Sequence, residues 1–418
     1  MNEVFILKIW IKTLVALIIG VLLGLFLKPN FFSIELLKFI SDLVVNLLLF
    51  LTPLFIIVKS YMGYIKLKKD GIYLKTISIF LGLSAVTSLV TIIITVCLMN
   101  FKVFHIPGHT VITQISDIPL YNNNLFSLIK RIVNPNLFRL VVENGDYILP
   151  YIFIGLIFGA GSFFAGKKGV YFIETVESFD AILSKIVRQI IEIFPLGAVF
   201  LITYTIKTDF IDVKNLVLIL KTLSTTIVIS IVIISLYSLY LFLILKKNVG
   251  KFFIGFLGAS LTAFITGMPL AVVIPLNKHI KDNLGVDQDI SDALTPISLI
   301  INRSGTMIVS SVVILTILSI YSLSFPPFSL QVLIILFLFF TSFLLDGSGV
   351  NGFIVLVSMV MSIKMLHLEP KSYLILISSI PILSRIGLLI DSLSSAVLIY
   401  TTAKFQGKVN DVKYIDFI

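Results

Sequence analysis

The stretch KFFIGFLGASLTAFITGMPLAVVIPLNK, residues 251–278, decides how this chain is read. Between its terminal lysines it carries no charge, and Gly267-Met268-Pro269 breaks it near the middle. Basic residues flank both ends: Lys246, Lys247 and Lys251 before it, Lys278 and Lys281 after it. Cytoplasmic loops collect Lys and Arg, so both ends are expected on the same, cytoplasmic side. A single crossing would strand one basic cluster outside. A re-entrant helical hairpin meets both constraints.

A second stretch, from about Ser329 to Ile363, is broken by Asp346-Gly347-Ser348-Gly349-Val350-Asn351-Gly352. At 1.5 Å per residue, one continuous helix there would be roughly 50 Å long against a hydrocarbon core of about 30 Å. It reads as helix, polar glycine-rich tip, helix. Broken backbone at membrane depth is tolerated only where protein or a watery cavity satisfies it, so such tips mark a path or a binding site. A pair of glycine- or proline-interrupted segments points to a secondary transporter's site.

Composition requires a membrane protein. The 418 residues are 58% hydrophobic and only 13% charged, with a mean hydropathy of +1.09. A soluble chain of this length would expose a surface that such a composition cannot supply. The formal net charge of +10 lies mostly in short lysine clusters between apolar runs. That pattern suits cytoplasmic loops, and no basic stripe interleaved with aromatics invites nucleic acid.

Eight spanning helices are expected, over about 9–27, 34–64, 76–99, 147–166, 179–206, 215–245, 290–320 and 372–403, with the two hairpins between the last three. The first carries Gly20 and Gly24 at small-xxx-small spacing. It is read as a retained helix, since no small-residue cleavage site follows it. Arg188 and Glu192 in the fifth can pair at i, i+4. Walking this order alternates sides and lands nearly every lysine cluster in the cytoplasm, with both termini inside. The single cysteine, Cys97, excludes an intrachain disulfide, and four histidines offer no metal-ligand spacing.

The order of elements resembles the dicarboxylate/amino acid:cation symporter family, which includes the glutamate transporters. Segments that carry the likeness are Leu51-Thr52-Pro53-Leu54, Glu143-Asn144-Gly145-Asp146-Tyr147-Ile148-Leu149-Pro150, Ile193-Phe194-Pro195-Leu196-Gly197-Ala198-Val199 and Leu261-Thr262-Ala263-Phe264-Ile265-Thr266. The most specific is Asn302-Arg303-Ser304-Gly305-Thr306, where the family carries Asn-Met-Asp-Gly-Thr at an unwound, ion-binding turn. The resemblance implies an all-α polytopic protein of eight transmembrane helices and two re-entrant hairpins in inverted repeats, assembled as a homotrimer in the lipid bilayer. It also implies a division of the chain: scaffold helices one and two over 1–75, helix three of a transport domain over 76–101, scaffold helices four and five over 102–207, and the transport-domain core over 208–418.

Departures from the family pattern are as informative. Gly267-Met268-Pro269-Leu270-Ala271 replaces a serine-rich tip in the first hairpin. On the last helix, the family's Asp, Arg, Asn and Asp correspond to Ser384, Gly387, Asp391 and Ser395, so the arginine that meets a substrate's side-chain carboxylate is missing. The sodium-binding aspartate of helix seven becomes Ser304, and its methionine neighbour becomes Arg303. Helix three offers Phe80 and Leu83 where the family offers Tyr and Thr, though Ser84 survives.

Four ionisable residues lie deep in apolar sequence: Arg303, Asp346, Arg385 and Asp391. Each costs about 2.5–3.5 kcal/mol at a helix centre on insertion scales, so partners or a cavity are expected. Ser384, Gly387, Asp391 and Ser395 share one helical stripe, with Arg385 about 100° away. Arg303 has two readings: it holds carbonyls and Asp391 together without a metal, or it faces the substrate's carboxylate, for which Arg385 is a second candidate. Duller roles stand beside these: Arg303 as a structural partner of Asp391 or Asp346, Arg385 snorkelling to the interface, Asp346 capping a half-helix.

The expected substrate site is therefore Gly267, Met268, Pro269, Arg303, Thr306, Gly349, Val350, Ser384, Arg385, Gly387 and Asp391. Expected sodium positions are Ser84, Asn302, Ser304, Asp391 and Ser395. The expected function is secondary active transport of an acidic amino acid or dicarboxylate across the cytoplasmic (inner) membrane. It runs by alternating access, coupled to Na+ or H+ with altered sodium stoichiometry, without a cofactor and without enzymatic chemistry. A neutral solute or an anion channel is the alternative. An intramembrane aspartyl protease dyad of Asp346 and Asp391 is the remote one, lacking the usual Tyr-Asp and Gly-x-Gly-Asp contexts.

Overall fold

The computed structural model describes residues 8–26, 34–101, 148–209, 216–321, 326–342, 376, 379–413 and 417. Within these the elements are α1 (Ile9–Phe26), α2 (Ile34–Lys69), α3 (Tyr73–Met99), α4 (Ile148–Phe164), α5 (Val170–Asp209) and α6 (Leu216–Leu243). They continue with α7 (Val249–Thr266), α8 (Pro269–Asp282), α9 (Gln288–Ile301), α10 (Ser304–Tyr321), α11 (Phe328–Ser342) and α12 (Ile380–Phe405). A short 3-10 turn, Gly166–Gly169, joins α4 to α5. Among the described residues no strand forms, and the only extended pairing is an isolated bridge between Val286 and Val409.

This is an all-α polytopic membrane protein. Among the described residues eight helical runs are long and apolar enough to cross a bilayer, the α9–α10 run (Gln288–Ile320) among them. Their outward faces are apolar: Phe50 is 80% exposed, Leu196 71% and Val217 79%. In lipid that is the stable arrangement, because helices satisfy their own backbone. α7, counted among the eight, is one arm of the first broken stretch, and α4 is a further apolar helix of 17 residues, within the length that can span a bilayer.

The first broken stretch is a helical hairpin. Asn248 caps α7 by accepting from the Lys251 amide at 3.0 Å. At the other end Gly267 adopts φ 63°, the left-handed conformation that only glycine takes without strain. Met268 is then extended, as a residue before proline must be, and Pro269 starts α8. The arms run back along one another: Asn283, just past α8, donates to the Gly255 carbonyl at 2.6 Å, and His279 packs over Gly258. The second broken stretch is described only along α11; its tip, with Asp346, Gly349 and Val350, lies outside the described residues.

Two packed groups emerge. α1 lies on α5, and α2 lies on α4 and α5. Gly20 and Gly24 let Ile202 and Ile206 of α5 approach the α1 backbone, with Thr203 donating to the Gly20 carbonyl at 3.2 Å. In the second group α12 packs on α10, α7 and α9, and α3 packs on α10. The groups meet along α2·α9, α1·α7 and α2·α8. At the α2–α9 contact the backbones touch: a Cβ on Gly63 would stand 2.5 Å from the Ala293 amide nitrogen. Beyond the apolar run of α12, the segment that follows it is tied to the α8–α9 turn, with the Asn410 amide donating to the Gly285 carbonyl at 2.7 Å. Asp411 pairs with Lys247 at 3.0 Å, a hydrogen bond that holds its carboxyl below the usual carboxylate range.

Candidate functional site

Two residues leave the helix between α9 and α10. Asn302 turns to φ −89°, ψ 93° after closing α9 onto the Ser298 carbonyl, and α10 restarts at Ser304. A helix that begins inside a protein exposes amides needing acceptors. Here the acceptor comes from α12. Asp391 Oδ1 accepts from the Gly305 and Thr306 amides at 2.7 and 3.2 Å, and its Oδ2 accepts from the Thr306 hydroxyl at 2.6 Å. Asp391 is therefore a cross-helix cap, 1% exposed, with both oxygens engaged. Arg303, 6% exposed, acts on this carboxylate electrostatically. The two charges offset one another at the break.

Hydroxyls and an amide close the remaining gap. Asn302 donates to Ser394 and Ser395 at 2.7 and 3.2 Å, while its oxygen accepts from Ser304 at 3.1 Å. Tyr237 on α6 shares a hydrogen bond with Ser304 at 3.0 Å. Ser395 reaches the Ser298 carbonyl at 3.5 Å. Asn302, Ser304, Ser394 and Ser395 are all fully buried. Four of the expected sodium positions, Asn302, Ser304, Asp391 and Ser395, are thus brought together, joined to one another through protein groups. Ser84 on α3 is also fully buried, and its hydroxyl has no hydrogen-bond partner among the described residues.

The expected substrate residues divide. Thr306, Gly387 and Asp391 meet at the α10–α12 contact, where a Cβ on Gly305 would run into the Gly387 carbonyl. Ser384 bonds back to the Pro381 carbonyl of its own helix at 3.0 Å. Arg385 points away from that stripe, as its 100° offset requires. Its stem lies over the hairpin turn, within 2.9 Å of where a Gly267 Cβ would stand, and its Nη2 donates to Thr205 of α5 at 3.1 Å. Pro269 is buried, and Met268 at the same turn is 42% exposed. Gly349 and Val350 lie outside the described residues.

The Gly305–Gly387 contact gives a graded test. Gly305→Ala is expected to destabilise the protein by about 2–3 kcal/mol through overpacking against backbone. Gly387→Ala, whose Cβ would meet its nearest neighbours at 3.3 Å, is expected to cost about 1 kcal/mol or less. Thermal unfolding of the purified variants reads the difference; equal effects would contradict the contact.

One polar centre escapes a reading of the sequence. Lys59 on α2, 2% exposed, sits 2.8 Å from Asp180 of α5 and 3.2 Å from Asp292 of α9. Asn277 of α8 and Gln288 donate to the same Asp292 at 3.2 and 3.4 Å. The available signal was a lone lysine in the apolar run Leu54-Phe55-Ile56-Ile57-Val58-Lys59. Arg188 and Glu192 do pair, at 3.3 Å on the surface.

Comparison with known proteins agrees with this architecture. A segment is 27% identical over 169 residues to the human neutral amino acid transporter A, covering 39% of this chain and 31% of that protein. The chain is also 28% identical over 172 residues to the human excitatory amino acid transporter 3, covering 41% of this chain and 32% of that protein. The C4-dicarboxylate transport protein of Bacillus subtilis is 23% identical over 283 residues, covering 66% and 63%. The matched segments thus span about a third of the human relatives' length. The family pattern of the sodium:dicarboxylate symporters extends much further, over residues 9–405. Eight apolar helical runs, a helix broken at Asn302 and a match over nearly the whole chain lead to one conclusion: this chain belongs to the sodium:dicarboxylate symporter family.

Proposed function

We propose that this chain is a secondary active transporter of an acidic amino acid or dicarboxylate, working by alternating access with reduced dependence on sodium. The observation that carries the reading is Arg385, whose guanidinium hydrogen-bonds Thr205 while its stem covers the hairpin turn at Gly267. A guanidinium there supplies the carboxylate-binding chemistry that Gly387 cannot. The start of α8 adds the positive end of a helix dipole at the same turn. The reading takes both broken stretches as re-entrant hairpins, with the α3 and α6–α12 group moving past α1, α2, α4 and α5. A homotrimer in the inner membrane, with both termini cytoplasmic, completes it.

The sodium argument is one of charge. Where relatives of the family pattern place an aspartate, Ser304 stands, and Asp391, the carboxylate that α12 brings to the break, is capped by α10 amides and balanced by Arg303. Asn302 and the surrounding hydroxyls satisfy each other. Each coupled charge contributes about 2.3 kcal/mol per 100 mV to accumulation, so fewer coupled ions weaken concentration without preventing transport.

Uptake into proteoliposomes of acidic, neutral and dicarboxylate solutes, with sodium or with choline outside, tests both parts. Acidic solutes are expected to be taken up saturably with a shallow sodium dependence. Arg385→Gln is expected to raise the KM for them by about 30-fold or more. A steep, cooperative sodium requirement would overturn the ion argument. Gly387 at the family's arginine position favours a second reading, a neutral solute; preference for neutral amino acids, with Arg385→Gln without effect, would select it.

A further inference from the structure

Two lysines of α2 make a ladder across the contact between the packed groups. Lys59 bridges Asp180 of α5 and Asp292 of α9, at 2.8 and 3.2 Å. Lys66, seven residues on and so on the same face, bridges Glu177 of α5 and Asp289 of α9, at 3.7 and 3.4 Å. Each rung has the same composition: one cation from α2, one acid from α5 and one acid from α9. Between the rungs Gly63 lies flush against Ala293. The acids on each partner helix are three apart, which places them on one face.

We infer that these lysines are shared counter-ions for a sliding interface, handed between a resident acid on α5 and a departing acid on α9. This rests on the reading that α9 moves with its group relative to α2 and α5. A lysine buried at the Lys59 position cannot be left alone, because an unpaired charge out of water is strongly unfavourable. A simple α2–α9 ion pair would therefore resist separation. Here Asp180 already holds Lys59 through both oxygens, at 2.8 and 3.0 Å, so the lysine stays paired after α9 leaves. Asp292 takes Asn277 with it, since both belong to the same group and are hydrogen-bonded at 3.2 Å. The smooth Gly63–Ala293 contact offers no interlocking side chain to oppose the shift.

The test uses the whole chain in membranes, with Cys97→Ser removing the native thiol and Ala293→Cys, at a position 3% exposed, reporting separation of α9 from α2. The rate of modification by a water-soluble maleimide is the readout. Asp292→Asn with Asp289→Asn leaves each lysine its resident acid and is expected to speed modification about tenfold or more. Asp180→Asn with Glu177→Gln leaves each lysine dependent on α9 and is expected to slow it. A merely structural ion cluster would respond alike to losing either acid, so changes of the same sign would overturn the handover. A rate that ignores transported solute in the Ala293→Cys parent would instead overturn the moving-group reading itself.

Discussion

Asp391→Ala is expected to abolish uptake and to destabilise the folded protein by about 3–5 kcal/mol, the range for removing one partner of a buried charged network. The substitution orphans the Gly305 and Thr306 amides and the Thr306 hydroxyl in one step. It also leaves Arg303 without the carboxylate that offsets it. Asp391→Asn separates these contributions. It keeps an oxygen for the amides but loses the charge and turns the oxygen that accepts from the Thr306 hydroxyl into an N–H donor, so a smaller loss of about 1.5–3 kcal/mol is expected. Denaturation of the purified variants, followed by tryptophan-independent thermal aggregation and by uptake, reads both quantities. Wild-type stability in both variants would show that the cap is not what holds α10 in place.

Lys59→Met is expected to have an effect of similar size for the opposite electrostatic reason. Asp180 and Asp292, 5% and 1% exposed, would face each other with no cation between them. Loss of about 3–5 kcal/mol and of all transport is the expected result. The triple variant Lys59→Met, Asp180→Leu, Asp292→Asn is the informative companion. Replacing a whole buried ion cluster by packed groups is often neutral in stability, so most of the folding energy should return. Transport should stay impaired, because the Lys59 rung between α2, α5 and α9 no longer carries charge. Restored stability with normal turnover would reduce the lysine to a packing role.

Much of this was legible in the sequence because it depends on local pattern. Gly267-Met268-Pro269 marks a break in an apolar stretch, and there α7 stops at a left-handed glycine and α8 starts at the proline. The Asn302-Arg303 break was visible as a polar interruption in an apolar helix, and the stripe of Gly387, Asp391 and Ser395 does face it. The 100° offset of Arg385 likewise foretold that it would look elsewhere. What escaped depends on distance along the chain. Asp391 meets Gly305 across 86 residues, and Lys59 meets Asp180 and Asp292 across 121 and 233. Lys59 stands close before the Lys66-Leu67-Lys68-Lys69 cluster, and Asp292 close after the start of α9, so each resembles the solvated end of a helix. Helical periodicity shows which side a residue occupies; it does not say what the other side brings.

The unequal spacing of the ladder has a mechanical consequence. The α2 lysines are about 10.5 Å apart along their helix, whereas acids three residues apart are separated by about 4.5 Å. The two scales cannot coincide at every displacement. If the α9 group moves along α2 as proposed, its travel is expected to proceed through a few discrete detents, like a vernier clicking between marks, and not as a continuous glide.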